Sequence, residues 1–353
     1  MSNSLTDSML IMTWMTLKMK NIEKIWQELE DEQSLKSGLL YRRYSGAIKP
    51  DIYVAVKSPE KLRCIAAHLN STIESHLKNW DKLRDIKIET LPDEKHPDKQ
   101  FLLVILLNNQ HRDIFSTLSE DLIHHAADIT SETELNKLLL LRLEKWQLLF
   151  EKMGQQGLSD QAQRALFGEM YFLRRFLLNV SNHYYCINSW KGVEKSVQDF
   201  QFADWAVEVK TTHGKNQQKL HISSERQLDI SLIPRIYLVH YSLEVRQNHG
   251  ETLNDLVDDL LNMLSDSPAA YNRFRLKLLE AGYFDIHRHL YAETGYSIRQ
   301  ENIYRITDDF PKIIESQIPK GVGDVRYSIV VSANANWFID EYTLFQNLRK
   351  RVE

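Results

Sequence analysis

The 353-residue sequence contains only two cysteines, Cys64 and Cys186, and their spacing is not that of metal ligands. So few cysteines argue against a disulfide framework and against a structural zinc site, and they fit a protein of the reducing cytoplasm. The sequence also lacks an excess of positive charge, because 44 lysines and arginines stand against 48 acidic residues. With a net charge of −4, any surface that binds nucleic acid must be local.

No hydrophobic run is long enough to span a bilayer, and the sequence has no internal repeat and no low-complexity tract. The methionine-rich stretch from Met9 to Met19 includes Lys18 and is followed by Lys20, and the only charge before it is Asp7. A signal peptide requires positive charge ahead of its apolar run. We therefore predict an amphipathic helix packed on the domain, with no role in membrane binding.

The overall composition, with 43% hydrophobic and 26% charged residues, is typical of a globular chain with two or three packed units. Residues 1–150 are predicted to form an α+β domain whose role the sequence does not indicate. Apolar runs and helical spacing place strands at 51–56, 85–90 and 101–107 and helices at about 112–126 and 131–152. The polar stretch 151–160, which contains two glycines, is the predicted boundary.

Residues 155–250 are predicted to form a compact core with the element order α-β-β-β-α-β. The pattern places a helix, three strands, a short helical turn and a long strand at 160–178, 196–202, 205–212, 218–223, 224–230 and 235–245. Residues 251–353 are predicted to be an α+β extension that packs on this core, with helices at about 251–264 and 269–281 and a strand at 327–333. The predicted fold class is α/β (α+β).

The segment 196–212 reads as a hairpin that carries charges on one face. If Ala203 and Asp204 form its turn, Asp199 lies directly opposite Glu208. Side chains alternate across a strand, so Asp199, Glu208 and Lys210 share one face. The opposite face is apolar and is predicted to pack in the core; it contains Phe200, Phe202, Trp205, Val207 and Val209.

Two carboxylates at this spacing have Cβ atoms roughly 5 Å apart and repel each other unless a positive charge lies between them. A divalent cation such as Mg²⁺ meets that need, since it prefers carboxylate oxygens. Lys210 lies beside the same point, where it is able to stabilise charge on a phosphate or to orient a water molecule. The alternative is a surface hairpin in which Lys210 bridges two acids, and the strand pattern alone does not decide between the two.

A further acid, Glu169, is predicted to face the same place. It falls on the apolar stripe of the helix at 160–178, between Leu166 and Leu173. A carboxylate in a packing face needs a partner, and joining the metal site would provide one. The alternative is a glutamate at the edge of the stripe that reaches solvent or an arginine.

The segment after the hairpin offers a modest basic patch for a phosphate backbone. Between Lys210 and Gly250 there are six lysines and arginines against three acids, in a chain that is acidic overall. Candidate nucleic-acid ligands in this segment are Lys215, Lys219, His221, Ser223 and Gln227. A solvated hairpin face accounts for the same charges equally well.

Asp199, the string "EVK" at Glu208–Lys210 and the helix with Glu169 resemble the PD-(D/E)XK nuclease superfamily. The strings "FGEMYFLRRFL", "QDFQF", "AVEVKTT" and "HISSERQLD" further resemble an uncharacterised bacterial family of PD-(D/E)XK proteins from restriction and phage-defence gene clusters. The resemblance covers most of the chain and is sharpest over residues 159–230. One departure is that Gln198 precedes Asp199, where the superfamily motif has proline.

The resemblance implies a restriction-endonuclease-like αβββαβ core, a mixed central sheet flanked by helices, that acts as a metal-dependent phosphodiesterase. Asp199 and Glu208 would hold Mg²⁺, for which Mn²⁺ would substitute, and Lys210 would assist the attacking water. Glu169 would complete the acidic site, and Gln227 matches a glutamine that several of these nucleases carry after the core.

The implied function is Mg²⁺-dependent cleavage of DNA by an endonuclease in a cytoplasmic restriction or anti-phage system. The implied partners are DNA and an ATPase or another protein of a defence cluster, and a homodimer is left open. A different class remains as the alternative: a non-catalytic subunit that uses the nuclease fold to bind nucleic acid or to assemble a complex. A metal-binding structural protein is a third class.

Overall fold

A computed structural model describes residues 22–32, 37–70, 85–153, 157–194, 196–214 and 219–349. The chain divides into two compact units, Met1–Gln155 and Gln156–Glu353. The helix that we predict over Met9–Met19 lies outside the described residues. Within the described ranges, none of the helices has the length and apolar character needed to cross a membrane.

The first unit contains a five-stranded antiparallel sheet with the strand order β1-β2-β3-β5-β4. Its strands are β1 (Gly38–Arg43), β2 (Ile52–Ser58), β3 (Leu62–Asn70), β4 (Ile86–Pro92) and β5 (Lys99–Leu106). Its helices are α1 (Ile22–Asp31), α2 (Arg112–Ala126) and α3 (Glu132–Met153). The sequence predicts β2, β4, β5, α2 and α3 to within a few residues, but it does not predict α1, β1 or β3.

The second unit is built on a mixed five-stranded sheet with the order β10-β11-β9-β7-β6. Its strands are β6 (Phe200–Gln201), β7 (Ala206–His213), β9 (Ile236–Gln247), β10 (Glu251–Thr252) and β11 (Thr294–Arg305). The two central strands β7 and β9 run parallel, and the other pairs are antiparallel. Buried parallel strands are usually rich in apolar residues, and both of these strands contain apolar runs.

Helices flank this sheet, which confirms the predicted α/β (α+β) class. They are α4 (Asp160–Asn179), α5 (His183–Ser189), α6 (Leu253–Met263), α7 (Pro268–Glu280) and α8 (Glu341–Arg349). Helix α4 passes very close to β7, because a Cβ atom at Gly168 would lie 2.3 Å from Cγ2 of Thr211. A larger residue at this position would require Thr211 to shift, so glycine permits the close approach, and the next residue along α4 is Glu169.

The β6–β7 hairpin has the register that the sequence predicts, with Phe200 paired to Val207 and Gln201 to Ala206. Continuing that register places Asp199 opposite Glu208. The apolar face is in the core, where Phe200, Trp205, Val207 and Val209 are buried and Phe202 is partly buried against them. Because the apolar face is buried in the core, the opposite face directs Asp199, Glu208 and Lys210 toward one site.

Three details differ from the prediction. A strand is present where we predict the third core strand, β8 (Lys219–Ile222), but it pairs with β12 (Tyr327–Val330) in a separate two-stranded sheet. The short helical turn predicted at 224–230 is limited to a turn at 225–228, and the described residues between β8 and β9 contain no helix. The segment after residue 250 supplies β10 and β11 to the same sheet as β7 and β9, so it completes the core rather than packing on it.

Candidate active site

Asp199 is held at the entrance to the hairpin by backbone groups on two sides. Its Oδ2 accepts a hydrogen bond of 2.8 Å from the Val209 N–H. Its carbonyl oxygen accepts bonds of 2.6 and 2.9 Å from the N–H groups of Lys191 and Gly192. These bonds leave Oδ1 as the oxygen of Asp199 that is available to a ligand.

Glu208, on β7, is the most deeply buried acid of the site, with 1% exposure. Its Oε1 accepts a hydrogen bond of 2.8 Å from Nε2 of Gln227 and lies 2.6 Å from Nζ of Lys210. Its Oε2 is buried and has no hydrogen-bond partner among the described residues. A surface hairpin bridged by lysine does not fit this burial, although the lysine–glutamate ion pair of that alternative is present.

Glu169 joins the same cluster from α4. Its Oε2 accepts a hydrogen bond of 2.7 Å from Nε1 of Trp190. A Cβ atom at Gly192 would lie 2.7 Å from Oδ1 of Asp199 and 3.0 Å from Oε2 of Glu169, so these two oxygens flank one point. The structure therefore brings Glu169 to the hairpin acids, and its partner is an indole rather than the solvent or arginine of the alternative.

Among the described residues, Lys210 is the cation that acts on all three carboxylates, and the pKa values of the acids reflect this shortage of positive charge. Burial and the nearby Asp199 raise the pKa of Glu208 to about 8. The same two causes raise the pKa of Glu169 well above its usual value, and burial raises that of Asp199. Burial lowers the pKa of Lys210, but the charges of Glu208 and Asp199 outweigh it and the net shift is upward.

This donor set fits a hard divalent cation. It offers three carboxylates, from α4, from β7 and from the residue just before β6, and one buried oxygen, Oε2 of Glu208, has no donor among the described residues. Mg²⁺ and Mn²⁺ prefer carboxylate oxygens, and a divalent charge would offset acids that a lone Lys210 does not balance. Asp199, Glu208 and Glu169 are the residues that would hold such an ion.

Of the predicted nucleic-acid ligands that the structure describes, Gln227 lies in the site, whereas Lys219, His221 and Ser223 do not. Ser223 contacts Gln227 through its backbone N–H, which donates to Oε1 of Gln227 at 2.9 Å. Lys219 and His221 are on the exposed side of β8, and Nδ1 of His221 lies 3.0 Å from Oγ of Ser328. Lys215 lies outside the described residues.

The basic patch is weaker in the structure than its charge count suggests. Arg226 pairs with Glu315 at 3.1 Å, and Arg246 pairs with Glu244 at 2.7 Å. Arg235 pairs with Asp204, and Lys210 is engaged with Glu208. The charge count therefore overstates the positive field that this segment presents to a phosphate backbone.

Sequence reasoning missed three residues that shape the site: Trp190, Gly192 and the side chain of Gln198. Nε2 of Gln198 donates to the carbonyl oxygens of Arg226 and Gln227, at 3.3 and 3.1 Å. Gln198, which stands where the superfamily motif has proline, thus connects the segment that contains Asp199 to the turn that contains Gln227. The periodicity of apolar residues does not predict such contacts, but the sequence does show that Gln198 replaces the proline of the motif.

Comparison with known families bears on the fold of the chain as a whole. A family model described as "Putative PD-(D/E)XK family member, (DUF4420)" matches residues 22–332. Comparisons with curated proteins and with solved structures found no match. The matched range contains every residue of the acidic cluster and spans most of the chain. The protein therefore belongs to this PD-(D/E)XK family, as its resemblance predicts, and has the family's nuclease-like fold.

Proposed function

We propose that this protein is a Mg²⁺-dependent nuclease that hydrolyses phosphodiester bonds of DNA. One observation carries the proposal: Oε2 of Glu208 is buried without a partner, within a cluster that also contains Asp199, Glu169 and Lys210. An unpaired carboxylate oxygen is costly to bury. A divalent cation at this place removes that cost and accounts for the conjunction of three acids.

The roles of the residues follow from their contacts. Asp199 and Glu208 would hold the ion, and Glu169 would complete the acidic set. When bound, the ion supplies Lewis-acid stabilisation of charge on the phosphate and lowers the pKa of a water molecule. Lys210 is protonated, because its pKa is raised, so it serves as a hydrogen-bond donor that orients the attacking water or stabilises the phosphate.

The cellular role that we propose is the one implied by the resemblance: DNA cleavage in a cytoplasmic restriction or anti-phage system, in concert with an ATPase or another defence protein. The two cysteines are free and buried, which is compatible with a reducing compartment. The exposed side chains of Lys219 and His221 on β8 are the candidate contacts to the phosphate backbone. RNA is the competing substrate, and the experiment includes it.

The proposal predicts cleavage that depends on the acidic cluster. Purified protein is incubated with supercoiled and linear DNA, and separately with RNA, in Mg²⁺ or Mn²⁺. We expect Asp199→Asn and Lys210→Ala to lose about 100-fold or more of the cleavage rate, since each removes a charge that acts on the transition state. Lys87→Ala is the matched control, because Lys87 belongs to another acid-x-Lys string on a strand, pairs with Glu89 and lies outside the cluster.

Metal binding gives a second readout that does not require cleavage. We expect Mn²⁺ to raise the melting temperature of the wild type, since a ligand that binds only the folded state stabilises it. Asp199→Asn should lose most of this shift. Equal cleavage by wild type, Asp199→Asn and Lys210→Ala would refute the nuclease assignment. Mn²⁺ binding without cleavage of DNA or RNA, even with an ATPase partner added, would identify the non-catalytic alternative.

A further inference from the structure

Two histidines and an aspartate converge in the first unit, whereas the acidic cluster belongs to the second. Nε2 of His68 lies 3.0 Å from Oδ2 of Asp93, and Nδ1 of His96 lies 2.8 Å from the same oxygen. The three donor atoms all lie within 4.8 Å of one another. The sequence shows Asp93 only as part of a polar loop that happens to contain an acid-x-Lys string.

The backbone of the sheet brings these residues together. His68 lies on β3 and pairs with Phe101 of the neighbouring strand β5. Asp93 and His96 lie in the loop that joins β4 to β5, and the loop is closed by a bond of 3.1 Å from the Asp93 N–H to the Lys99 carbonyl. The His96 N–H donates in turn to the Asp93 carbonyl at 3.2 Å. The loop therefore has a defined conformation that directs both side chains toward β3.

The ligand side chains are oriented by further contacts. The His68 ring stacks on Phe101 with a centroid distance of 4.8 Å, which limits rotation of the imidazole. The Lys95 N–H donates to Oδ1 of Asp93 at 2.9 Å. An aspartate carboxylate is ionised near neutral pH, so Asp93 offers an anionic ligand to a cation. Such outer contacts are what orient metal ligands in established sites.

We propose that His68, Asp93 and His96 form a binding site for a transition-metal cation of the Zn²⁺ class. Two imidazole nitrogens and one carboxylate oxygen are a borderline donor set that suits Zn²⁺, whereas the all-carboxylate cluster of the second unit suits Mg²⁺. In the metal-free chain the histidine N–H groups satisfy the carboxylate, and the cation takes their place. Three protein ligands leave room for a water molecule or an external group.

The burial of the three residues suits reversible loading from solvent. Asp93 and His68 are nearly buried, with side-chain exposures of 9% and 10%, whereas His96 is 60% exposed. A cation thus has an entry path at His96 and a partly desolvated seat at the other two ligands. Bound there, it would clamp the β4–β5 loop to β3. The cysteine count that argues against a zinc site does not bear on this one, because the ligands are histidine and aspartate.

The test is a metal titration of the full-length, tag-free protein after treatment with a chelator. Zn²⁺ binding is followed by calorimetry, and Co²⁺ is added in parallel as an absorbing probe. Every protein tested, including the parent, carries the substitution Glu208→Gln, so that the acidic cluster does not compete for the metal. We expect one equivalent of Zn²⁺, and we expect His96→Ala to weaken it by about 100-fold or more, because loss of even an outer-shell partner costs about 10–100-fold.

Lys95→Ala is the matched control, since it removes an exposed side chain of the same loop and keeps the N–H that Asp93 accepts. It should bind Zn²⁺ as the parent does. His96 is exposed, so its truncation should leave the fold intact, and circular dichroism checks this. Absence of Zn²⁺ binding, or equal affinity in His96→Ala and the parent, would show that the cluster is only a hydrogen-bonded structural feature. Neither result bears on the nuclease assignment.

Discussion

At the residue scale, the two oxygens of Glu208 have different surroundings. Oε1 is occupied by Gln227 and Lys210, while Oε2 faces the interior with no partner among the described residues. Glu169 is similarly held at one oxygen, by the indole of Trp190. Gln227 binds one oxygen of Glu208, and Trp190 binds one oxygen of Glu169. Each leaves the second oxygen of that carboxylate for the proposed metal, so Gln227 and Trp190 act as positioning residues for the metal ligands.

Trp190→Phe tests this positioning. The substitution keeps a buried aromatic ring but removes the N–H that Glu169 accepts. We expect Mn²⁺ affinity to fall by about 10–100-fold, the usual cost of losing a contact that orients a ligand. Isothermal titration with Mn²⁺ measures it, and Trp205→Phe is the control because Trp205 is equally buried but on the apolar face of the hairpin. Unchanged affinity in Trp190→Phe would mean that the indole has no such role.

At the element scale, α2 and α3 are joined by a buried charge cluster around Asp121. Its carboxylate accepts bonds of 2.9 Å from Nε of Arg142 and from Nε1 of Trp146, and Nδ1 of His125 lies 3.2 Å away. Burial raises the pKa of Asp121, but the bonds from His125 and Arg142 outweigh it and the net shift is downward. These helices therefore depend on an ionised Asp121 as well as on apolar packing.

Asp121→Asn should destabilise the first unit by about 3–5 kcal/mol at pH 7, because it leaves the Arg142 charge without its partner. A lowered folded-state pKa contributes stability above the unfolded value of about 4, and this contribution is lost as the pH falls toward the folded value. The difference between wild type and variant should therefore shrink below about pH 4. Hydrogen exchange of α2 and α3 peptides at pH 7 and pH 3.5 measures it. A difference independent of pH would refute this account.

The observed helices and strands also show which features of the fold sequence patterns are sufficient to predict. Helix α2 has the bounds predicted for it, 112–126, because helical spacing of apolar residues is a local property. Strand β8 is present as predicted, yet it pairs with β12, more than 100 residues further along the chain. A run of alternating residues predicts that a strand forms, but it carries no information about which strand will pair with it.

At the scale of the whole molecule, the second unit is one core built from both sides of residue 250. Strand β11 pairs with β9 along nearly its whole length, from Thr294 beside Gln247 to Arg305 beside Tyr237. Residues beyond position 250 also belong to the core that contains the hairpin; among them are Leu253, Leu256, Phe274, Tyr296 and Ile303. The fold of the site therefore requires the C-terminal third of the chain.

This predicts a difference between two fragments. Residues 157–353 should fold cooperatively and keep Mn²⁺ binding, because they contain the complete sheet and its core. Residues 155–250 should not, since the ladder of β9 and a large part of the core would be exposed to water. Thermal melting followed by circular dichroism separates these outcomes. A cooperative melt of the shorter fragment would show that the C-terminal segment is only an accessory.

The hairpin, its register and the face on which Asp199, Glu208 and Lys210 lie follow from the sequence alone, because alternation and turn position are local properties of a strand pair. It also indicated Glu169, through a carboxylate on an apolar stripe. The packing of the second unit was needed to show that Glu169 reaches the hairpin, that Trp190 holds it and that β11 completes the sheet. Those contacts join residues far apart in the chain, and their geometry depends on how closely helix and sheet pack.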